Sequence, residues 1–143
     1  SKVFNGFKKA CHTLYKFDNN TERTFAIVLE NDKEVIRWMR PSPKQFNIYY
    51  GPGGCSRYEP DFVVETADTI YMVETKMRKE LSDSEVLEKA RAAQVYCSAA
   101  SACNAEHDGK PWVYALIPHD EVRLNSSFRN LMANRVPAEQ LSF

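Results

Sequence analysis

The sequence predicts an α/β fold, a mixed central sheet flanked by helices in the order helix, three strands, helix, strand. Three observations carry this. Helical periodicity recurs at 20–31 and 83–103, strand-like runs fill 46–50, 60–66 and 69–76 between them, and a further buried run follows at 112–117.

Each element has a local reason. A helix is expected near residues 5–17. A second helix is expected over 20–31, where Asn19 stands three residues before Glu22 as a capping box and Phe25, Val28 and Leu29 follow at i, i+3, i+4 spacing. Pro41, Pro43, Gly51, Pro52, Gly53 and Gly54 concentrate in one stretch and mark a loop rather than a linker. Within it, Phe46 to Tyr50 is aromatic and β-branched and ends at the Gly/Pro turn. With the runs at 60–66 and 69–76 it is expected to form a three-strand meander. Ser82 and Glu85 repeat the capping-box pattern. Val86, Ala90, Ala93 and Cys97 then recur at spacings of four, three and four, which predicts a long helix over 83–103. The polar segment 104–110 contains Gly109. Trp112 to Ile117 reads as a buried strand stopped by Pro118, and a short helix is expected near 127–134.

Length and composition bound the rest. A chain of 143 residues with 43% hydrophobic content is sized for one domain, 1–143, and shows no internal repeat. Nineteen basic residues balance nineteen acidic ones, so no long-range field recruits nucleic acid or an anionic membrane. Residues 1–50 carry nine Lys/Arg against five Asp/Glu, an N-terminal excess that reads as a solvated face. A mean hydropathy of −0.50 without a long apolar run predicts a soluble protein with no membrane span. The chain opens at Ser1 with no basic-then-apolar leader and is expected to be a piece of a longer one. Cys11, Cys55, Cys97 and Cys103 show no CxxC spacing, and His12, His107 and His119 no i, i+4 pair. Reduced thiols, no zinc site and a cytoplasmic location follow as expectations.

The informative feature is the pair of strands YEPDFVVE and TIYMVETK. If the hairpin closes at Ala67-Asp68, Asp61 falls across from Glu74, Val63 from Met72 and Glu65 from Ile70. Strand side chains alternate, so Lys76 projects from the same face as Glu74. Two carboxylates side by side among apolar neighbours repel each other and call for a cation between them. Lys76 can satisfy one of them. Two hard oxygen donors are also what Mg²⁺ takes when phosphate and water complete its octahedron. The chemistry that follows is metal-assisted hydrolysis of a phosphodiester, with Lys76 stabilising the attacking hydroxide or the charge developing on phosphorus.

Pro60-Asp61 followed by Glu74-Thr75-Lys76 resembles the motif of the PD-(D/E)XK nuclease superfamily. More closely, the chain resembles the C-terminal endonuclease domain of type III restriction enzyme Res subunits. The resemblance covers nearly the whole chain, through TERTFAIVLEND, VIRWMRP, FNIYY, YEPDFVV, YMVETK, KARAAQVYC and PWVYALIP. It implies a restriction-endonuclease-like αβββαβ core and a Mg²⁺-dependent deoxyribonuclease, with Mn²⁺ as a substitute. Asp61 and Glu74 would be metal ligands, Lys76 the catalytic lysine, and Glu22 an accessory acid. It further implies double-stranded DNA as substrate, an upstream helicase-like motor, a methyltransferase subunit that reads sequence, and a bacterial cytoplasmic setting. The chain has no GxxxxGK[ST] loop, so ATP would enter only through a motor domain elsewhere.

Other residues have two readings. Glu22 is equally the ordinary N3 acid of a capping box. Gln94 lies at the edge of the apolar stripe, as a solvent-edge glutamine or as a group reaching metal or phosphate, and Lys89 on the same helix keeps the surface soluble or touches DNA backbone. Tyr58, Arg78 and Lys79 flank the motif strands as phosphate contacts, whereas Trp38 and Trp112 read as core aromatics. The alternative function is a catalytically idle, nuclease-like domain serving as a DNA-binding or docking module.

Overall fold

The structure, a computed structural model, describes residues 3–5, 8–11 and 14–141. Two short strands, β1 (Val3–Asn5) and β2 (Leu14–Lys16), pair antiparallel and precede helix α1 (Asn20–Asn31). Then come β3 (Arg37–Met39), a hairpin of β4 (Ile48–Tyr50) and β5 (Ser56–Tyr58), and the strands β6 (Phe62–Glu65) and β7 (Ile70–Lys76). Helix α2 (Ser84–Ala105), strand β8 (Trp112–Pro118) and helix α3 (Phe128–Ala133) complete the order. Among the described residues the central sheet runs β3-β6-β7-β8, antiparallel except for the parallel β7/β8 pair that α2 connects. This is the mixed α/β arrangement expected, with αβββαβ made by α1, β3, β6, β7, α2 and β8.

Period-two alternation sorts the sheet into two faces. Phe62, Val64, Val73, Ala115 and Ile117 pack with Phe25, Ala26, Val28 and Leu29 of α1 and with Phe128, Leu131 and Met132 of α3. Met72, Tyr114 and Leu116 point the other way, onto Val86, Ala90, Ala93 and Cys97 of α2 and onto Ile48 and Tyr58 of the hairpin. The stripe on α2 is of small residues, which lets the helix lie close to the sheet. Asn19 caps α1 by accepting from Glu22 N at 2.9 Å. Asp32, just past the end of α1, accepts from Phe128 N at 2.7 Å and so ties down the first turn of α3.

Three expectations need correction. The segment read as a helix over 5–17 contains the last residue of β1 and all of β2 where it is described, and residues between the two strands run along β3 instead. Cys11 N donates to Trp38 O at 3.0 Å and Trp38 N to Lys9 O at 3.1 Å. These main-chain groups are spent on a neighbouring strand, which a helix would not allow. The run 46–50 does contain a strand, but it does not join the meander. Gly51, Gly53 and Gly54 all take positive φ, a turn that folds β4 straight back onto β5 as a separate two-stranded sheet. The place beside β6 goes to β3, with Trp38 opposite Val64. Finally, α2 is capped at Asp83 rather than Ser82, and no side-chain hydrogen bond closes that cap.

Candidate active site

The hairpin of β6 and β7 has the expected register, with Val63 opposite Met72 and Glu65 opposite Ile70. Its last paired residues are Phe62 and Val73, so Asp61 lies one step beyond the ladder. The reason is covalent. Thr66 N donates to Thr69 O at 2.9 Å, and counting by twos from that hydrogen-bonded pair brings Pro60 opposite Thr75. Proline has no N–H to complete such a pair. Asp61 takes over, its Oδ2 accepting from Thr75 N at 3.0 Å and from Thr75 Oγ1 at 3.3 Å. The Pro-Asp dipeptide therefore ends the ladder and turns a carboxylate onto the neighbouring strand.

Glu74 sits on β7, paired with β6 on one side and β8 on the other, and is only 8% exposed. Tyr58, at the end of β5 and 3% exposed, donates its hydroxyl to Glu74 Oε2 at 2.7 Å. Burial pushes the Glu74 carboxyl well above the usual carboxylate range, and the charge of Asp61 pushes it further. The Tyr58 hydroxyl, Lys76 and Lys89 pull the other way. Asp61 is raised in the same sense by burial, against the Thr75 amide, Arg40 and Lys76. The Tyr58 phenol is itself driven far up by burial and by Glu74, and the same two causes act on Tyr114, so both hydroxyls stay protonated.

A third acid approaches from α1. Glu22 is 4% exposed, and its Oε1 accepts from Asp18 N at 2.9 Å. Arg40, one residue past β3, binds Glu22 through Nη1 to Oε1 at 2.9 Å and Nη2 to Oε2 at 3.1 Å. The same guanidinium donates from Nε to Asp61 O at 3.3 Å and lies over the rings of Phe17 and Phe62, at 5.6 and 5.5 Å. Burial raises the Glu22 carboxyl, Asp61 contributes to the rise, and the Asp18 amide and Arg40 counter it. On the far side, Lys76 and Lys89 share a recess of about 310 Å³ with Glu80, Asp83 and Glu85 at the start of α2. Lys89 also pairs with Glu85 at 3.6 Å and lies 5.4 Å from the centre of the Tyr50 ring.

A family model described as "Endonuclease domain" matches residues 8–106, more than half of the 143. The chain belongs to this endonuclease-domain family. It is thus a restriction-endonuclease-like nuclease domain, and the αβββαβ core is the frame of its site. A search of the curated proteins found no match.

In this endonuclease domain Asp61, Glu74 and Lys76 share a single electrostatic neighbourhood, since the charges of Asp61 and Lys76 both act on Glu74. Glu22 reaches it through Arg40, and Lys89 stands at its edge. Gln94 is half-buried on α2, with no hydrogen bond to these residues among those described. Arg78 is held at the surface by Asp120 through two hydrogen bonds of 2.8 Å from Nε and Nη2, and Tyr58 is buried with its hydroxyl spent on Glu74. Lys79 remains exposed. Trp38 is a core residue, donating Nε1–H to Glu30 Oε1 at 3.0 Å, and Trp112 packs edge-on against Phe46 and Tyr96. Arg40 and the Tyr58 hydrogen bond went unread in the sequence. An arginine two residues after Trp38 shares its face of the strand, and a basic group on an otherwise apolar face signals a buried acid nearby.

The cysteines form no cluster. All four are free, Cys97 lies in the α2 core where burial pushes its thiol up to about 12, and among the described residues no group of three or more His, Cys, Asp or Glu is arranged to hold a metal ion. No described helix is long and apolar enough to cross a membrane.

Proposed function

We propose that this domain hydrolyses phosphodiester bonds of double-stranded DNA with Mg²⁺ held by Asp61 and Glu74, as the cleavage domain of a type III-like restriction enzyme Res subunit. The observation that carries the reading is the juxtaposition of half-buried Asp61 and buried Glu74, where the charge of Asp61 raises the cost of ionising Glu74, with Lys76 two residues further along β7. The donor set fits the ion. The hydrogen bonds engage Asp61 Oδ2 and Glu74 Oε2, which leaves one hard oxygen on each for a cation. Mg²⁺ ordinarily takes one or two carboxylates and completes its shell with water and substrate phosphate, so two acids suffice where a closed zinc site needs more.

Bound there, Mg²⁺ supplies charge neutralisation at the phosphate and a water of lowered pKa. The residues of the chain do the rest. The Asp61 carboxylate is fixed by Thr75 while Arg40 holds its main-chain carbonyl, and Glu74 is fixed by Tyr58, so neither carboxylate has to reorganise as the reaction proceeds. Lys76, as an ammonium at the open end of β7, donates to a non-bridging oxygen of the scissile phosphate or to the attacking water. Negative charge grows on the phosphate oxygens as the water, having given up a proton to solvent, forms the new P–O bond; the bond to the leaving sugar oxygen breaks, and that oxygen takes up a proton from solvent. Glu22 acts at one remove, by anchoring Arg40.

The reading places recognition and ATP-driven delivery on a methyltransferase subunit and a helicase-like motor outside residues 1–143. Incubating the domain, alone and within its full complex, with plasmid DNA and Mg²⁺ tests it. Cleavage that requires the divalent ion and is lost in Asp61→Asn supports the proposal. Cleavage that persists in EDTA, or survives Asp61→Asn, overturns it. DNA binding with no cleavage in any assembly identifies the idle docking module instead.

A further inference from the structure

Tyr58 reaches the site from outside the central sheet. It belongs to the β4/β5 hairpin, opposite Ile48, and its ring is packed in the core formed by Phe46, Met72, Tyr114 and Leu116. A phenol carries one O–H donor. Here that donor is spent on Glu74 Oε2 at 2.7 Å, the ordinary length of a well-formed O–H···O bond. A core tyrosine needing only satisfaction would be served by any main-chain carbonyl. This one is aimed at the buried Glu74 carboxylate, on which the charge of Asp61 also acts.

We infer that Tyr58 is a positioning residue that occupies Glu74 Oε2 and so presents Glu74 to a divalent cation through Oε1 alone. The inference rests on the metal-binding role proposed above and adds a constraint to it. A carboxylate free to rotate can bind an ion through both oxygens, and holding one oxygen fixes the plane and direction of the other. Partners in the second layer of a metal site act in this way, and their loss typically lowers metal affinity about 10–100-fold. The arrangement also gives the hairpin a task. The Gly51–Gly54 turn sets the path of β5, and β5 delivers the hydroxyl.

The test titrates the 143-residue chain with Mn²⁺ by calorimetry, as wild type, Glu74→Ala and Tyr58→Phe, with thermal unfolding followed on the same samples. Phenylalanine fills the same space, so Tyr58→Phe should unfold cooperatively like the wild type and bind Mn²⁺ about 10–100-fold more weakly. Wild-type Mn²⁺ affinity in Tyr58→Phe, with Glu74→Ala unable to bind, overturns the positioning role and leaves the metal site standing. No Mn²⁺ uptake by the wild type removes both. A second readout does not depend on the variant folding: 3-fluorotyrosine at position 58 should shift its ¹⁹F resonance on Mg²⁺ addition, saturating together with calorimetric binding. An unmoved resonance under saturating Mg²⁺ also overturns the role.

Discussion

Arg40 and Glu22 form a two-pronged ion pair, Nη1 to Oε1 at 2.9 Å and Nη2 to Oε2 at 3.1 Å, that joins α1 to the end of β3 beside Asp61. Their side chains are 16% and 5% exposed, so water screens the pair little. Both oxygens of Glu22 are occupied by Arg40, and Oε1 also by the Asp18 amide, which leaves little for direct ligation of a cation. The acid on α1 is therefore better described as the anchor of an arginine than as a third metal ligand.

Removing Arg40 should expose that dependence. Arg40→Met leaves Glu22 buried and unpaired, and breaking one side of a buried pair costs about 3–5 kcal/mol. Adding Glu22→Leu to Arg40→Met removes the stranded charge and should restore much of the loss. Urea denaturation of the wild type and the two variants measures both effects. A loss in Arg40→Met no larger than that of an ordinary surface substitution, roughly 0.5 kcal/mol, would show that the pair does not hold α1 to β3.

Lys76 should matter to chemistry and not to folding. Its Cα partner on β8 is Pro118, at the open end of the parallel pair, and its side chain lines the solvent-facing recess with Lys89. Lys76→Ala is expected to keep the wild-type unfolding midpoint. Cleavage by the assembled enzyme should fall about 10²–10³-fold, the loss seen when one preorganised group is removed from a developing charge. Single-turnover cleavage rates at saturating Mg²⁺ decide the matter, and an unchanged rate in Lys76→Ala rejects the assignment.

The raised carboxyls of Glu22, Asp61 and Glu74 have a consequence for stability. A carboxyl whose folded pKa lies above its unfolded value, about 3.9 for Asp and 4.3 for Glu, binds its proton more tightly in the native state. Unfolding free energy then falls as pH rises through the window between the two values. Without divalent ions the domain should therefore be more stable near pH 5 than near pH 8, and Glu74→Gln should flatten that slope. Asp120 does not oppose it in this window. The Arg78 hydrogen bonds hold its carboxyl below the usual value, so its contribution is lost only as pH falls further. Mn²⁺ should stabilise most at the alkaline end, where the carboxylates are ionised. Urea midpoints measured across this range in EDTA and in Mn²⁺ provide the check. A wild-type midpoint that rises with pH in EDTA, with the same slope in Glu74→Gln, contradicts the account.

The features legible in the sequence were those set by short-range periodicity. Alternation over YEPDFVVE and TIYMVETK fixed the register of β6 on β7, and the Val86, Ala90, Ala93, Cys97 spacing marked the buried stripe of α2. Long-range choices were not legible. Arg37–Met39 is too short to announce itself as a strand, yet its pairing with β6 displaced the more strand-like FNIYY from the sheet. Periodicity could not show that Tyr58, sixteen residues before Glu74, returns to it from another sheet. Nor could it show that Arg40 closes on an acid eighteen residues earlier. The two carboxylates were found because they lie on one hairpin, and Arg40 and the Tyr58 hydrogen bond were missed because they reach it from outside.

The chain by itself should cut DNA weakly and without sequence preference. Its formal charge is zero, and apart from Lys76 the basic residues around the site are already engaged by acids: Arg40 by Glu22, Arg78 by Asp120, and Lys89 in part by Glu85. Affinity for duplex DNA scales with the number of phosphates neutralised, and a surface offering few uncommitted cations neutralises few. Base readout requires an element placed in a groove, and the sequence has no helix-turn-helix or zinc-finger pattern to supply one. A tethered motor and recognition subunit would replace the missing affinity by effective concentration, in the millimolar range for short flexible links. Plasmid cleavage by residues 1–143 in Mg²⁺ should therefore be slow, scattered over many sites, and sharply reduced when salt is raised from 50 to 200 mM. The full complex should cut at defined positions under the same conditions. Efficient, site-specific double-strand cleavage by the isolated chain would show that it carries its own recognition surface and would separate it from a motor-delivered mode of action.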